Sequence, residues 1–508
     1  MADRNSEAKA LKPVDKLANA HNWKHLARWN GEGFYELKTE DTGEVRVRLF
    51  FTPQLLDAAE EILYRQIVNA TRFPGVRMVV ITPDAHYGYG VPVGCVLITD
   101  AQEGAVAMGP VGYDIGCGMM SARSKVEAEA ATPERRLEFN RAVMARVDMG
   151  FGGKSKKLGR LSEDEFQNLV RGGAEYYVEK YGATFDRSHA ERHRIPVDDD
   201  WQIPYGGKGR PERGREQLGS LGGGNHFIEL QRSSQTGTLF LQVHTGSRGF
   251  GHGLATNYFE LAREEHPELL KDIDLGYFTP ESKHYRDYLN AVAAGGNYAI
   301  LNRLVIFEQV SEAFHEVFGE ELELVYEISH NLVQQEWHPE FGDVWVHRKG
   351  ATRAFPAGHP FLKGTGWEET GHPVLIPGSN KDWSYILRPL EGAVRSGFSV
   401  NHGAGRRISR GEANRTLSQR RMDDEYREAG IVVNIDGRVP LDEAAPCYKP
   451  SEEVVAAVVG AGLAEIEHSL WPLASLKGVD GLRRGRRGKD KPERKGDRNE
   501  GKRTSEHY

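Results

Sequence analysis

Side chains able to hold a metal ion or a phosphate recur along this chain beside glycine. PDAHYGYG carries Asp84 and His86, GYDIGCGMM carries Asp114 and Cys117, and SLGGGNHFIEL carries Asn225, His226 and Glu229. VHTGSRGFGH adds His244 and His252, EISHN adds His330, and VNHGAGR adds His402. Most of these turns adjoin apolar, β-branched runs, and loops at strand ends are where sites usually sit. Glycine lets the backbone approach a ligand closely and leaves N–H groups free to face an anion. Asp114 and Cys117 stand three residues apart in a glycine-punctuated turn, so both side chains can face one point. A carboxylate, a thiolate and several imidazoles together suit a transition metal. A thiolate can bridge two ions, which would allow a two-metal site. The plainer readings are a buried cysteine acting as a small hydrophobe, most of the 19 histidines as ordinary core or surface residues, and NHGAGR as a tight turn. No CxxC pair is present, which disfavours a structural zinc site.

The elements that must carry these turns follow from hydrophobic periodicity. Residues 54–70 have apolar positions at helical spacing, and similar patterns recur near 131–147, 163–180 and 284–318. RMVVITPDAHYGYGVPVGCVLIT predicts strand, loop, strand. The stretch 183–217, rich in Arg, Asp, Gly and Pro, predicts a surface loop or insertion. Isolated strands mixed with long helices give an α/β or α+β class, and no fixed-period repeat is present. With 508 residues, 39% of them hydrophobic, the chain can bury a sizeable core without disulfides. Three cysteines, Cys95, Cys117 and Cys447, are too few for a disulfide framework and fit a reducing compartment. There is no apolar leader and no run approaching the ~18 apolar residues of a membrane span, so the expected location is cytoplasmic. The net charge of −7 does not itself suggest nucleic-acid binding. After Gly478, however, the chain becomes rich in Arg, Lys and Gly and nearly empty of apolar residues. Residues 478–508 are therefore expected to be a disordered basic tail, read first as a solvated tail and, more sharply, as an RNA-binding arm.

Eight segments, in this order, resemble the signature of the RtcB family of RNA ligases: PDAHYGYGVPVG, GPVGYDIGCGM, SLGGGNHFIE, VHTGSRG, ISHN, HRKGATRA, VLIPGS and VNHGAGR. The resemblance runs from about residue 75 to Lys477 and implies one ligase domain over residues 1–477. The implied fold is the RtcB type, central β-sheets flanked by helices. Asp114, Cys117 and His226 match the ligands of one manganese ion, and Cys117, His244 and His330 those of a second. His402 matches the nucleophile that takes GMP from GTP. Asn225, His226, Glu229, His330, Asn331, Pro377, Gly378, Ser379, Asn380, Ser384, the loop His402, Gly403, Ala404, Gly405, and Lys477 match the guanylate site. The implied activity is GTP-dependent joining of RNA 3′-phosphate or 2′,3′-cyclic phosphate ends to 5′-hydroxyl ends, in RNA repair or tRNA splicing. The implied partners are such RNAs, with room for an archease-type activator. A two-metal phosphoesterase and a catalytically inactive RNA-end-binding protein are the alternatives; His402 argues against the first, the intact ligand set against the second. Two departures stand out. After IPGS the family carries a small-residue run, Met-Gly-Thr-Ala, but this chain has Asn380, Lys381, Asp382 and Trp383, which places larger side chains at the expected guanine pocket. Lys477 is followed by the long basic tail, whereas the family lysine stands next to last.

Overall fold

The computed structural model describes residues 16–183, 194–269 and 272–478. Two large sheets dominate it. The first has seven strands, in the order Ala27–Trp29, Tyr35–Leu37, Arg46–Leu49, Val76–His86, Val93–Asp100, Gly342–Lys349 and Asn331–His338. All of its pairings are antiparallel except that of Arg46–Leu49 with Val76–His86. The second runs Glu323–Ser329, Gly118–Glu127, Thr238–Thr245, Phe227–Ser233, Ala464–Lys477, Ser384–Pro389 and Val374–Ile376, with Val432–Val433 pairing alongside Ala464–Lys477. The predicted strand–loop–strand is thus the central pair of the first sheet.

The apolar runs are continuous because both faces of that sheet are buried. Val79, Ile81, Cys95 and Leu97 join one core with Tyr64 and Ile67, while Met78, Val80, Val96 and Ile98 join another with Val344 and Val346. The second sheet buries Ile228, Leu230, Leu241 and Val243 against the helices Pro133–Arg146, Glu163–Tyr181, Arg248–Glu265 and the 34-residue Tyr285–Phe318. Helix starts follow ordinary capping chemistry: Thr132 precedes Pro133 and accepts from Arg135 N–H, and Ser162 accepts from Glu165 N–H. The predicted helix over 54–70 is two helices, Pro53–Ala58 and Glu61–Ala70, because Ala59 turns to an extended conformation between them. Part of the predicted loop at 183–217, and all of the basic tail after Gly478, lie outside the described residues. No helix among the described residues is long and apolar enough to cross a membrane.

The two sheets meet where the chain passes from Ser329, ending a strand of the second, through His330 to Asn331, starting a strand of the first. A fully buried ion pair fastens this junction. The Arg303 guanidinium, from the long helix, pairs with Glu327 and donates to the carbonyls of Gly116 and Thr245, both at 2.8 Å. Replacing Glu327 by alanine leaves that cation buried without its counter-charge, which typically costs about 3–5 kcal/mol. A urea-unfolding midpoint lowered accordingly is expected, and an unchanged midpoint would show that the backbone acceptors suffice.

Candidate active site

The junction brings the chemistry-bearing turns together. Cys117 sits one residue before strand Gly118–Glu127, His244 lies on Thr238–Thr245, His226 immediately precedes Phe227–Ser233, and His330 links the two sheets. The Cys117 Sγ lies 3.3 Å from His244 Nε2 and 3.6 Å from His226 Nε2. His244 Nε2 is 3.3 Å from His330 Nε2, and His226 Nε2 is 3.1 Å from an Asp114 carboxylate oxygen. Two donor triads result, Cys117–His244–His330 and Asp114–Cys117–His226, each with its ligand atoms within 4.8 Å of one another and sharing the thiol.

The tautomers are set from behind. His226 Nδ1 faces the Leu221 carbonyl at 3.1 Å and His244 Nδ1 faces the Asn225 carbonyl at 3.2 Å. A carbonyl only accepts, so each Nδ1 carries the proton and each Nε2 turns its lone pair to the cluster, the usual arrangement behind a metal-bound histidine. Burial, and the imidazoles around them, push His244 and His330 well below their ordinary range, so both are neutral, the form in which a histidine binds a metal. Burial and then the Asp114 carboxylate push the Cys117 thiol well above its usual range, and a bound cation is what would hold it as thiolate. These residues fit one or two transition-metal ions.

His402 follows strand Ser399–Asn401, and its ring lies 4.8 Å from that of His330, centre to centre. Its partner is Asp84, buried at the end of strand Val76–His86. One Asp84 oxygen accepts from His402 Nδ1 at 2.7 Å and from the N–H groups of His402 and Gly403 at 3.1 and 3.3 Å; the other accepts from Thr82 Oγ1 at 2.6 Å. Burial alone would raise the Asp84 carboxyl, but the His402 charge and these hydrogen bonds outweigh it and hold the group below its usual range. Nδ1 is thereby committed to the carboxylate, which fixes the ring and leaves Nε2 as the nitrogen available for chemistry. The close approach depends on glycine at two places. A Cβ on Gly405, at φ +78°, would stand 2.0 Å from the Asp84 carbonyl oxygen, and one on Gly350, at φ +59°, would meet the His402 ring at 2.9 Å.

The sequence placed Asp84 among metal- or phosphate-binding groups and did not connect it with His402. The geometry makes it a positioning residue. Asp84→Asn is expected to slow any reaction at His402 Nε2 by roughly 10³–10⁴-fold, because an amide can donate to Nδ1 and invert the tautomer, with metal content unchanged. Single-turnover rates within tenfold of the unaltered protein would show that this orientation is not needed.

A cavity of about 980 Å³ opens over His402 and the cluster. Asn225, Phe227, Asn331, Pro377, Gly378, Ser379, the loop His402–Arg406 and Lys477 line it. Asn331 also braces the floor, donating to the Asp114 carbonyl at 3.2 Å and accepting from Gly350 N–H at 2.8 Å. Glu229, Asn380 and Ser384 stand behind the wall. Burial raises the Glu229 carboxyl to about 7, and it accepts from Gln231 at 2.8 Å. Ser384 Oγ accepts from Gly378 N–H at 3.0 Å, and Asn380 accepts from the Tyr426 hydroxyl. The large residues after Ser379 do not fill the cavity. Lys381 pairs with Glu425 at 2.9 Å, Asp382 accepts from Ser451 N–H at 2.8 Å, and Trp383 packs edge-on to Trp471 at 5.1 Å. They bracket the turn from outside, so their bulk does not narrow the pocket. Lys477 Nζ lies 5.4 Å from the centre of the Phe227 ring and 3.1 Å from a Glu443 oxygen. Glu443 was not singled out in the sequence. Burial would raise its carboxyl, but Lys477, Arg410 and Arg406 outweigh that and hold it at about 2.

Comparison with known proteins identifies the family. The family model described as tRNA-splicing ligase RtcB matches residues 66–478. The chain is 36% identical over 467 residues to the tRNA-splicing ligase RtcB of Pyrobaculum aerophilum, covering 86% of this chain and 95% of that protein. It is 35% identical over 461 residues to the tRNA-splicing ligase RtcB of Thermococcus kodakarensis, covering 85% and 94%. To the RNA-splicing ligase RtcB of Mycobacterium tuberculosis it is 35% identical over 440 residues, covering 81% and 100%. The chain belongs to the tRNA-splicing ligase RtcB family.

Proposed function

We propose that this protein is an RNA ligase that uses GTP to join an RNA 3′-phosphate or 2′,3′-cyclic phosphate end to a 5′-hydroxyl end, in tRNA splicing or RNA repair. The observation that carries the reading is His402 Nε2, oriented by Asp84 and set beside two donor triads in one cavity. In the first step Nε2 attacks the α-phosphorus of GTP, the bond to the β-phosphate oxygen breaks, and pyrophosphate leaves. In the second, an oxygen of the RNA 3′-phosphate attacks the same phosphorus, and the histidine departs as a neutral imidazole. A cyclic phosphate is first opened by water. In the third, the 5′-hydroxyl attacks the activated 3′-phosphorus and GMP leaves. Asp84 stabilises the positive imidazole that forms transiently at His402. Gly403 and Gly405 leave room for backbone N–H groups to meet phosphate, and Lys477 stands where the base would be read. Asp114, Cys117, His226, His244 and His330 would hold two manganese ions. When bound, such ions neutralise charge on the triphosphate and on the leaving pyrophosphate.

The test is to incubate the protein with GTP, manganese and two RNA strands, one ending in 3′-phosphate and one beginning with 5′-hydroxyl. A joined product that requires GTP is expected. Release of inorganic phosphate without joining would favour a phosphoesterase instead.

The basic tail gives a further expectation from sequence. Removing residues 482–508 deletes Arg483, Arg484, Arg486 and Arg487. If each contacts one phosphate of single-stranded RNA, the slope of log affinity against log salt flattens by about 3, while attachment of GMP to the protein stays unchanged. Identical slopes for full-length and truncated protein would leave the tail without this role.

A further inference from the structure

The cavity extends well beyond the residues just described. Its volume, about 980 Å³, is at the top of the ~300–1,000 Å³ range usual for a small-molecule site. Besides Phe227, His402, Tyr448 and Lys477, its lining includes Tyr87 and Tyr89 from the turn after strand Val76–His86. Tyr113 also lines the cavity. Its ring stacks on His252 at 5.4 Å and leans on Phe259 at 4.8 Å, and its hydroxyl donates to Asp274 at 2.9 Å. Tyr89 meets Tyr113 edge-on at 6.1 Å. At the rim stands Tyr87, 44% exposed, in a fold that buries most of its aromatic rings. The turn that presents it is fixed from below. Gln66 brackets Gly88 by donating to its carbonyl and accepting from its N–H, and Asn69 donates to the Gly90 carbonyl at 2.7 Å. A glycine-rich turn pinned by two buried amides is holding an exposed ring in place at the mouth of a reaction cavity.

We propose that the cavity wall at Tyr87 seats the terminal nucleoside of the RNA strand that receives the nucleotide from His402, with its base stacked on Tyr87. The inference rests on the ligase reading above and deepens it. That strand must bring its terminal phosphate to His402 Nε2. Tyr87 follows Asp84 by three residues, a span of at most ~10 Å, so a nucleoside seated there has its phosphate within reach of the histidine that Asp84 holds. Stacking on an aromatic face tolerates every base, as an enzyme that seals ends of varied sequence requires. Between the two, His86 Nδ1–H donates to the Asp84 carbonyl at 3.0 Å. Its other nitrogen is thereby an acceptor, matched to the hydroxyls of a ribose.

The experiment uses the full chain and short RNAs carrying 2-aminopurine, whose fluorescence falls on stacking, either at the 3′-phosphate end or at the 5′-hydroxyl end. Binding is titrated without GTP for the unaltered protein, Tyr87→Ala and Tyr87→Phe. Quenching of the 3′-end probe by the unaltered protein and by Tyr87→Phe is expected. In Tyr87→Ala the quenching is lost and Kd rises about tenfold, within the range of one base–aromatic stack. Attachment of GMP to Tyr87→Ala at the normal rate confirms that the variant is folded. Equal quenching and affinity in Tyr87→Ala would overturn the proposal, as would quenching confined to the 5′-end probe. Failure of the unaltered protein to take up GMP would count against the ligase reading alone, because the titration needs no nucleotide.

Discussion

Replacing His402 by alanine is expected to abolish attachment of GMP to the protein, by at least about 10⁴-fold, as removal of a nucleophile does elsewhere. The fold should persist. The Asp84 carboxylate keeps its hydrogen bonds from the N–H groups at 402 and 403 and from Thr82, so the loop stays anchored without the imidazole. Metal content should also persist, because His402 is in neither donor triad. Labelled GTP with an assay of protein-bound label checks the first point, and metal analysis of the purified variant checks the second. Substantial label on His402→Ala would sink the assignment of the nucleophile.

Replacing Cys117 by alanine is expected to abolish both metal loading and ligation. Its sulfur is the one donor shared by the two triads, so its loss takes one ligand from each. The remaining imidazoles of His244 and His330 would face each other at 3.3 Å with fewer donors to hold a cation between them. Serine should do little better, since a hydroxyl is a poor replacement at a soft ligand position. The measurement is metal stoichiometry after dialysis together with joined RNA. Full activity of Cys117→Ala with manganese would rule out a shared, bridging role for the thiol.

Much of this site could be read in the sequence, because its ligands sit in short turns whose glycines mark them. Asp114 with Cys117, and His226 beside Asn225, are local features, and local spacing is what a sequence displays. The strand pair around PDAHYGYG was legible for the same reason. Long-range pairings were not. Asp84 and His402 are 318 residues apart and Lys477 and Glu443 are 34 apart, and nothing in either partner's surroundings names the other. A buried carboxylate at the end of an apolar strand was the available signal for Asp84, but that signal does not say which cation it serves. Side-chain direction was also hidden. Asn380 to Trp383 read as bulk at the pocket wall, yet pairing with Glu425, the Ser451 N–H and Trp471 draws Lys381, Asp382 and Trp383 away from it. The split between Ala58 and Glu61 left no mark in the periodicity, since both halves bury apolar residues, among them Leu55, Leu56, Leu63 and Tyr64, in the same core.

The most direct test of the account is to locate the nucleotide on the protein. The full chain is incubated with α-labelled GTP and manganese, without RNA, and the label is examined for acid lability and base stability before peptide mapping by tandem mass spectrometry. The account predicts an acid-labile, base-stable GMP on the peptide containing His402, which disappears on adding RNA with a 3′-phosphate end. Label at any other residue, or ligation by a protein that never carries GMP, would contradict it.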